Sequence, residues 1–216
     1  EIIFTKNATE SINLVASTYG DKFIKKGDEI LITELEHHSN YVPWHFLRQK
    51  KGAIIKFAKS NDRGEVSIDE IKKLITNKTK IIAITHLSNV TGVIMPIKKI
   101  VDLANQKKIP VLVDGCQGAP HLKLDMQELG CDFYAISCHK MYGPTGVGIL
   151  YAKKKWLDVL PPYQGGGGMI EEVKKERITF PGSPTKYEAG TLQTAEVVGF
   201  SESIRFIEDV GIKNIM

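Results

Sequence analysis

Short apolar runs alternate with helically spaced apolar residues along the whole chain, and this alternation predicts the fold. Runs without polar alternation predict buried strands at 29–33, 53–57, 80–85, 111–113, 133–136 and 148–152. Helical spacing predicts helices between them, at about 41–51, 68–75 and 97–104. Buried strands joined by helices form a largely parallel sheet that is covered on both faces. We therefore predict a three-layer α/β/α domain with a mainly parallel sheet.

Local start signals support the predicted helices. Ser67 and Glu70 form a capping-box pattern, and Pro96 stands where a helix begins. Asn7 followed by Glu10 predicts another helix start near the amino end. The free N–H groups of such a helix start, with the Thr9 hydroxyl, are suited to holding a phosphate.

Residues 161–190 break the pattern, because they are rich in proline and glycine and carry little periodicity. A long irregular stretch inside a compact domain is usually functional or packs on another subunit. A disordered insert is the weaker interpretation, since Tyr163, Met169 and Phe180 supply apolar anchors. Helical spacing resumes at Ala195.

The composition excludes several classes of protein. With 42% hydrophobic and 25% charged residues, the 216-residue chain is neither a disordered tail nor a collagen-like repeat. Its net charge of +4 comes from scattered lysine pairs, so we expect no nucleic-acid partner. No apolar run approaches the ~20 residues that span a bilayer, so we expect no membrane association. Three cysteines are too few for a disulfide framework and suit a reducing compartment such as the cytoplasm.

Polar residues follow two of the predicted strands where a parallel sheet binds its ligands. Asp114 directly follows the strand at 111–113, and Lys140 follows the strand at 133–136. They are 26 residues apart, about one strand–helix–strand unit, which brings both to the same edge. Each alone has a simpler explanation, as a turn former and a solvated lysine. Together they match the pyridinium partner and the Schiff-base lysine of a pyridoxal-phosphate enzyme.

A metal centre is the weaker interpretation of the six histidines. His37 and His38 are adjacent and point to opposite sides, and no spacing of Cys and His matches a zinc site. We therefore expect no metal ligands.

Several longer motifs occur in an order typical of one enzyme family. They are Glu36-His37-His38-Ser39-Asn40, Thr85-His86-Leu87-Ser88-Asn89, Val113-Asp114-Gly115-Cys116-Gln117 and His139-Lys140-Met141-Tyr142-Gly143-Pro144-Thr145-Gly146. On these motifs the chain resembles the class V aminotransferase family of fold-type I pyridoxal-phosphate enzymes, and within it the SufS-type cysteine desulfurases. The resemblance extends from residue 7 to residue 191.

The resemblance implies roles around the ring of pyridoxal 5'-phosphate. Lys140 would carry the Schiff base and shuttle a proton, Asp114 would pair with the pyridine nitrogen, and Gln117 would bind the phenolic oxygen. His37 would stack on the ring face. Lys140 and His37 are thus the expected catalytic residues.

The resemblance also implies contacts to the phosphate and the substrate. Thr9, Ser137 and His139 would bind the phosphate, and Asn89 would help to hold the substrate carboxylate. Thr191 would reach the phosphate of the partner subunit in a homodimer. The implied reaction converts L-cysteine into L-alanine and passes sulfur, as a persulfide, to a sulfur-acceptor protein of iron–sulfur cluster assembly.

The chain departs from the family pattern in its thiols and in one phosphate contact. Cys116, Cys131 and Cys138 do not match the family's persulfide-forming cysteine, which lies in a C-terminal segment with the carboxylate-binding arginine, so we expect them to be packing residues. Ala8 replaces a hydroxyl residue. We expect residues 1–216 to be the cofactor-binding large domain, truncated at both ends and without the small domain, and to lack desulfurase turnover alone.

Two other functions stay open. Another class V enzyme, such as a selenocysteine lyase, an aminotransferase or an epimerase, would share the same cofactor residues. A non-catalytic paralogue that binds a partner protein is the second alternative, but a protein without catalysis has no physical need of Lys140, Asp114 and Gln117 together.

Overall fold

A seven-stranded sheet forms the centre of the fold. The computed structural model describes residues 1–215, so Met216, the last residue of the predicted domain, lies outside the described residues. The strands are β1 Ile2–Thr5, β2 Glu29–Thr33, β3 Ile54–Ala58, β4 Thr79–Thr85, β5 Val111–Asp114, β6 Phe133–Ser137, β7 Gly148–Ala152, β8 Glu172–Lys174 and β9 Arg177–Thr179. The helices are α1 Ala8–Phe23, α2 Val42–Lys51, α3 Ile68–Leu74, α4 Ile97–Asn105, α5 Gly118–His121, α6 Met126–Leu129, α7 Lys154–Leu157, α8 Thr194–Val210 and α9 Ile212–Ile215.

The strand order of the main sheet is β1-β7-β6-β5-β4-β2-β3. Neighbouring strands from β6 to β3 pair in parallel, whereas β7 is antiparallel to both β1 and β6. The predicted α/β/α fold with a mainly parallel sheet is therefore confirmed.

Alternate residues of the central strands pack into two separate cores, one on each face of the sheet. On one face, Leu112 of β5 lies in the same buried cluster as Trp44 of α2 and residues of α1. On the other face, Val113 lies in a cluster with Ile100 of α4. Burial of both faces explains why these strands appear in the sequence as uninterrupted apolar runs.

The stretch at 161–190 is more ordered than its composition suggests. It contains the hairpin of β8 and β9, which the sequence analysis did not predict. Met169 is fully buried and Tyr163 packs against the core, but Phe180 is 41% exposed, so its predicted role as an anchor was wrong. Tyr187 fixes the end of the stretch, because its buried hydroxyl lies 2.7 Å from the Leu157 carbonyl oxygen, to which it donates.

The strand at the amino end of the chain, β1, was also missed. β1 pairs with β7 and leads directly into α1. The predicted helix start at Asn7 is confirmed: its side-chain oxygen accepts from the Glu10 N–H at 2.9 Å. In the described part of the chain, no helix is long and apolar enough to cross a membrane.

Gly148, the first residue of β7, lets the start of α1 approach the sheet. A Cβ at Gly148 would lie 2.5 Å from the Cα of Asn7, which no real contact allows. The backbone of Asn7 must therefore move if any side chain is present at position 148.

We predict that Gly148→Ala destabilises the protein by about 1–3 kcal/mol, the usual cost of overpacking. Urea unfolding of the purified protein measures this loss. Gly167→Ala is the matched control, because a Cβ there has no neighbour within 4 Å. Equal stability of the two variants would contradict the proposed tight contact.

Candidate active site

A cavity of about 320 Å³ opens at the carboxyl edge of the sheet. It lies where β4, β5 and β6 end and where α1 begins. Eight of the nine predicted site residues line it: Thr9, His37, Asn89, Asp114, Gln117, Ser137, His139 and Lys140. The ninth, Thr191, does not; it lines a separate pocket with Glu10, Tyr163 and Glu188.

Asp114 places a buried carboxylate in this cavity. Its residue is 4% exposed, and one carboxylate oxygen accepts from the Cys116 N–H at 3.0 Å. Within residues 1–215, no lysine, arginine or histidine nitrogen lies within 4.0 Å of this carboxylate. Buried charges are normally paired, so this end of the cavity suits a ligand with a protonated nitrogen.

Ser137, at the end of the neighbouring strand β6, provides a hydrogen-bond donor instead of a negative charge. Its hydroxyl oxygen accepts from the Ala8 N–H at 2.9 Å and lies 3.8 Å from the Cys116 sulfur, which donates to it. With both lone pairs engaged, its own proton is available to an acceptor in the cavity. The positive end of the α1 dipole lies at the same place. This end of the cavity therefore suits an anion such as a phosphate.

Lys140 ends a short 3-10 helix, Cys138–Lys140, that continues directly from β6. The Cys138 carbonyl closes this turn by accepting from the N–H groups of Met141 at 2.8 Å and Gly143 at 3.0 Å. Lys140 lines the cavity, and in residues 1–215 no carboxylate oxygen lies within 4.0 Å of its ammonium. The Lys140 side chain is therefore not held in a salt bridge by the described residues and is available to a ligand in the cavity.

His37 stands at the rim of the cavity, before the 3-10 helix His38–Asn40. Its Nδ1 accepts from the Ser39 N–H at 3.1 Å, so the proton of the neutral ring is on Nε2. The Ser39 hydroxyl lies 2.7 Å from the Thr9 hydroxyl, which joins this turn to the start of α1. The histidine is thus held in one tautomer by its own turn.

The three thiols are buried and protonated. Burial, with the nearby charge of Asp114, raises the pKa of Cys116 to about 12, although Lys140 opposes the shift. Burial also raises the pKa of Cys131 and of Cys138 to about 12. Because the thiolate is the reactive form, none of the three is suited to be a nucleophile.

We predict that iodoacetamide at pH 8 labels none of the three cysteines in the folded protein. All three should react once the chain is unfolded in denaturant, which serves as the control. Mass spectrometry counts the added groups. Rapid labelling of any one thiol in the folded state would contradict this assignment.

Sequence reasoning gave Glu36 no role, although it begins one of the motifs. Its carboxylate accepts from the Thr33 hydroxyl at 2.6 Å, the Asn40 amide at 2.6 Å and the Thr85 N–H at 3.0 Å. Burial raises the pKa of Glu36 to about 7, because desolvation outweighs these hydrogen bonds and the charge of Asp114 adds to it. A run of donors converging on one acidic residue cannot be seen in the sequence.

We predict that Glu36 makes the protein less stable as pH rises from about 4.5 to about 7. The folded state keeps a proton there that the unfolded state releases, so ionisation costs up to about 3 kcal/mol of unfolding free energy. Chemical unfolding of the wild type and of Glu36→Gln across this range measures it. The stability difference between them should shrink with rising pH; a constant difference would contradict the shifted pKa.

His86 is a second residue whose place the sequence did not reveal. It is buried behind the cavity, with its Nδ1 2.8 Å from the Tyr134 hydroxyl oxygen, and burial lowers its pKa to about 4. A Cβ at Gly118 would lie 2.7 Å from the Tyr134 hydroxyl oxygen and 2.8 Å from the His86 Nδ1. The neutral pair therefore packs directly beneath the turn that carries Gln117. Across residues 1–215, no group of three or more His, Cys, Asp or Glu side chains is placed to hold a metal ion.

Known proteins resemble the chain over its full length. The family model described as Aminotransferase class-V matches residues 1–216. The "Probable cysteine desulfurase" of Staphylococcus aureus (strain N315) is 49% identical over 215 residues, which are 100% of this chain and 52% of that protein. The chain therefore spans about half the length of this curated relative.

Solved structures share the fold. The crystal structure of the cysteine desulfurase CsdA from Escherichia coli superposes with a TM-score of 0.96 at 40% identity, covering 99% of this chain and 53% of that one. A C-DES variant with glycine covalently linked to its PLP cofactor superposes with a TM-score of 0.87 at 25% identity, covering 97% of this chain and 56% of that one. The arrangement of strands and helices is thus one found in pyridoxal-phosphate enzymes.

Proposed function

The chain belongs to the class V aminotransferase family, and from that premise we propose that its cavity binds pyridoxal 5'-phosphate. We further propose that the whole protein is a cysteine desulfurase that converts L-cysteine into L-alanine. Two of the relatives compared above support this assignment, since the Staphylococcus aureus protein and the Escherichia coli CsdA are described as cysteine desulfurases.

One observation carries the proposal: the cavity has two buried ends of opposite character. Asp114 presents a carboxylate without a counter-ion in the described chain, and Ser137 presents a free hydroxyl proton at the start of α1. Pyridoxal phosphate carries a basic ring nitrogen and an acidic phosphate, and so needs both ends. The amine of Lys140 lies in the same cavity, where the aldehyde of the cofactor requires one.

The residues of the cavity would hold the cofactor at three places. Asp114 would pair with the ring nitrogen, Gln117 would bind the phenolic oxygen, and Lys140 would hold the cofactor covalently through Nζ. The phosphate would be bound at the anion-binding end of the cavity, by Thr9, Ser137 and His139. The chemistry supplied by the bound cofactor is an electron sink for the charge left at the substrate Cα.

The side chains around the substrate would orient it and move its proton. Lys140 Nζ would move the proton at the substrate Cα, since it lies in the cavity without a counter-ion in the described chain. Asp114 would keep the ring nitrogen protonated. His37 would cover the ring face and exclude water, and Asn89 would help to hold the substrate carboxylate.

The sulfur of the substrate requires a nucleophilic thiolate, which the three buried thiols do not supply. We therefore place the persulfide-forming cysteine in another part of the whole protein, and residues 1–216 would be its cofactor-binding large domain. Of the family's branches, we favour the SufS-type, on the Glu36-His37-His38 and Gly143-Pro144-Thr145-Gly146 motifs. The whole protein would work in the cytoplasm and deliver sulfur to an acceptor protein for iron–sulfur cluster assembly.

Thr191 belongs to the proposed homodimer. In one chain it lies in a pocket of about 250 Å³ that is separate from the cofactor cavity. Its proposed role, binding the phosphate held by the partner subunit, agrees with a position outside the cavity of its own chain.

We predict that added pyridoxal phosphate gives the purified protein a visible absorbance band that borohydride removes by reducing the Schiff base. Mass spectrometry should then locate the reduced cofactor on Lys140. Lys140→Ala should lose the reducible band completely, because no other amine lines the cavity among the described side chains. Lys98→Ala, which alters a surface lysine paired with Asp102, is the control. A folded wild type that takes up no cofactor would refute the proposal.

A further inference from the structure

Glu36 joins three elements of the fold at the edge of the cavity. Its carboxylate accepts hydrogen bonds from Thr33 at the end of β2, from Thr85 at the end of β4, and from Asn40 in the 3-10 helix that follows His37. Thr85 itself lines the cavity. The carboxylate is therefore the common point of these three elements.

The direction of all three hydrogen bonds to Glu36 is fixed by the donors and their other contacts. The Thr33 hydroxyl oxygen already accepts from the Leu35 N–H at 3.1 Å, so its proton is directed to Glu36. The Asn40 oxygen accepts from the Trp44 indole N–H at 3.2 Å, so the Asn40 amide cannot flip and must donate to Glu36. The Thr85 N–H can only donate. Three donors thus point at one side chain. A carboxylate can accept from all three through its two oxygens, whereas an amide would direct its own NH₂ group at one of the donors.

The same turn fixes His37, the next residue along the chain. The His37 carbonyl oxygen accepts from the Asn40 N–H at 2.8 Å, and its Nδ1 accepts from the Ser39 N–H. Asn40 is therefore held from two directions, by the His37 backbone and by the Glu36 carboxylate. If Glu36 releases Asn40, the turn that sets the histidine tautomer loses its attachment to the sheet.

We propose that Glu36 is a positioning residue for His37, and that its carboxylate sets the place and the tautomer of the imidazole at the cavity rim. The relevance to catalysis rests on the proposed function, in which His37 covers the cofactor ring. The local claim concerns the turn itself and holds with or without the cofactor.

A matched control lies at the other end of the same strand. Glu29, the first residue of β2, is also buried and accepts from the hydroxyls of Thr76 at 2.6 Å and Thr79 at 3.2 Å. The Lys56 ammonium lies 3.0 Å from it. Glu29→Gln perturbs a similar buried network far from the cavity, so it reports the general cost of such a change.

The test is the tautomer of His37, measured without cofactor by long-range ¹H–¹⁵N NMR at a pH where the ring is neutral. The wild type and Glu29→Gln should show the Nε2–H form. Glu36→Gln should show a mixture of tautomers, because its amide group meets a donor whichever way it turns. Glu36→Gln should also weaken pyridoxal-phosphate binding roughly threefold to tenfold, measured by absorbance titration, with Glu29→Gln close to the wild type.

A double variant in which the carboxylate and the amide exchange positions distinguishes a positioning role of Glu36 from a general loss of stability. In Glu36→Gln combined with Asn40→Asp, the new Gln amide donates to the new carboxylate, whose other oxygen still accepts from Trp44. This pair restores the polarity of the network and should restore the Nε2–H form, even if Glu36→Gln alone fails to fold.

Three results overturn the proposal: an unchanged tautomer in Glu36→Gln, the same mixture in Glu29→Gln, or a folded double variant that keeps the mixture. None of these depends on cofactor binding. If the wild type fails to bind pyridoxal phosphate, the proposed function is wrong, while the tautomer measurement still decides the role of Glu36.

Discussion

Burial of the sheet on both faces is the constraint on which the rest of the structure depends. A strand covered on both sides has no place for a polar side chain along its length, so polar groups are confined to its ends. β5 illustrates this, because Val111, Leu112 and Val113 are fully buried and Asp114 follows as the last residue. The chemistry of the protein is therefore concentrated where the strands stop, and α1 and the turn after β2 close around that edge.

The two ends of the sheet treat buried carboxylates differently. At the amino ends, Glu29 has Lys56 at 3.0 Å and Asp132 has Lys155 at 2.7 Å, so each carries its own counter-ion. At the carboxyl ends, Asp114 and Glu36 have no such lysine among residues 1–215 and are held by neutral donors. A lysine thus accompanies each of these two carboxylates at the amino ends, whereas at the carboxyl ends Asp114 faces the cavity without one and Glu36 is bound by internal donors.

Local order along the chain predicted the central sheet, Asp114, Lys140 and the helix start with Thr9, whereas the roles of the other site residues were implied by the family resemblance. Buried strands appear as apolar runs, and Asp114 and Lys140 stand directly after two of them. The failures involve partners distant in sequence. β1 is recognisable only through its pairing with β7, and the role of Glu36 only through Thr85, which is 49 residues away. The cavity lining includes eight of the nine predicted residues, and their roles remain predictions.

The pairing of β1 with β7 has a consequence for how the cavity is made. Ile2 pairs with Tyr151, so β1 can join the sheet only when residues almost 150 positions later in the chain are present. Closing so long a loop is slow relative to local helix formation. The start of α1 directly follows that strand and packs on Gly148. The anion-binding end of the cavity is built on this start of α1. During synthesis we therefore expect the anion-binding end of the cavity to form only after residues 148–151 have emerged, so a nascent chain that stops before them would lack this end of the site.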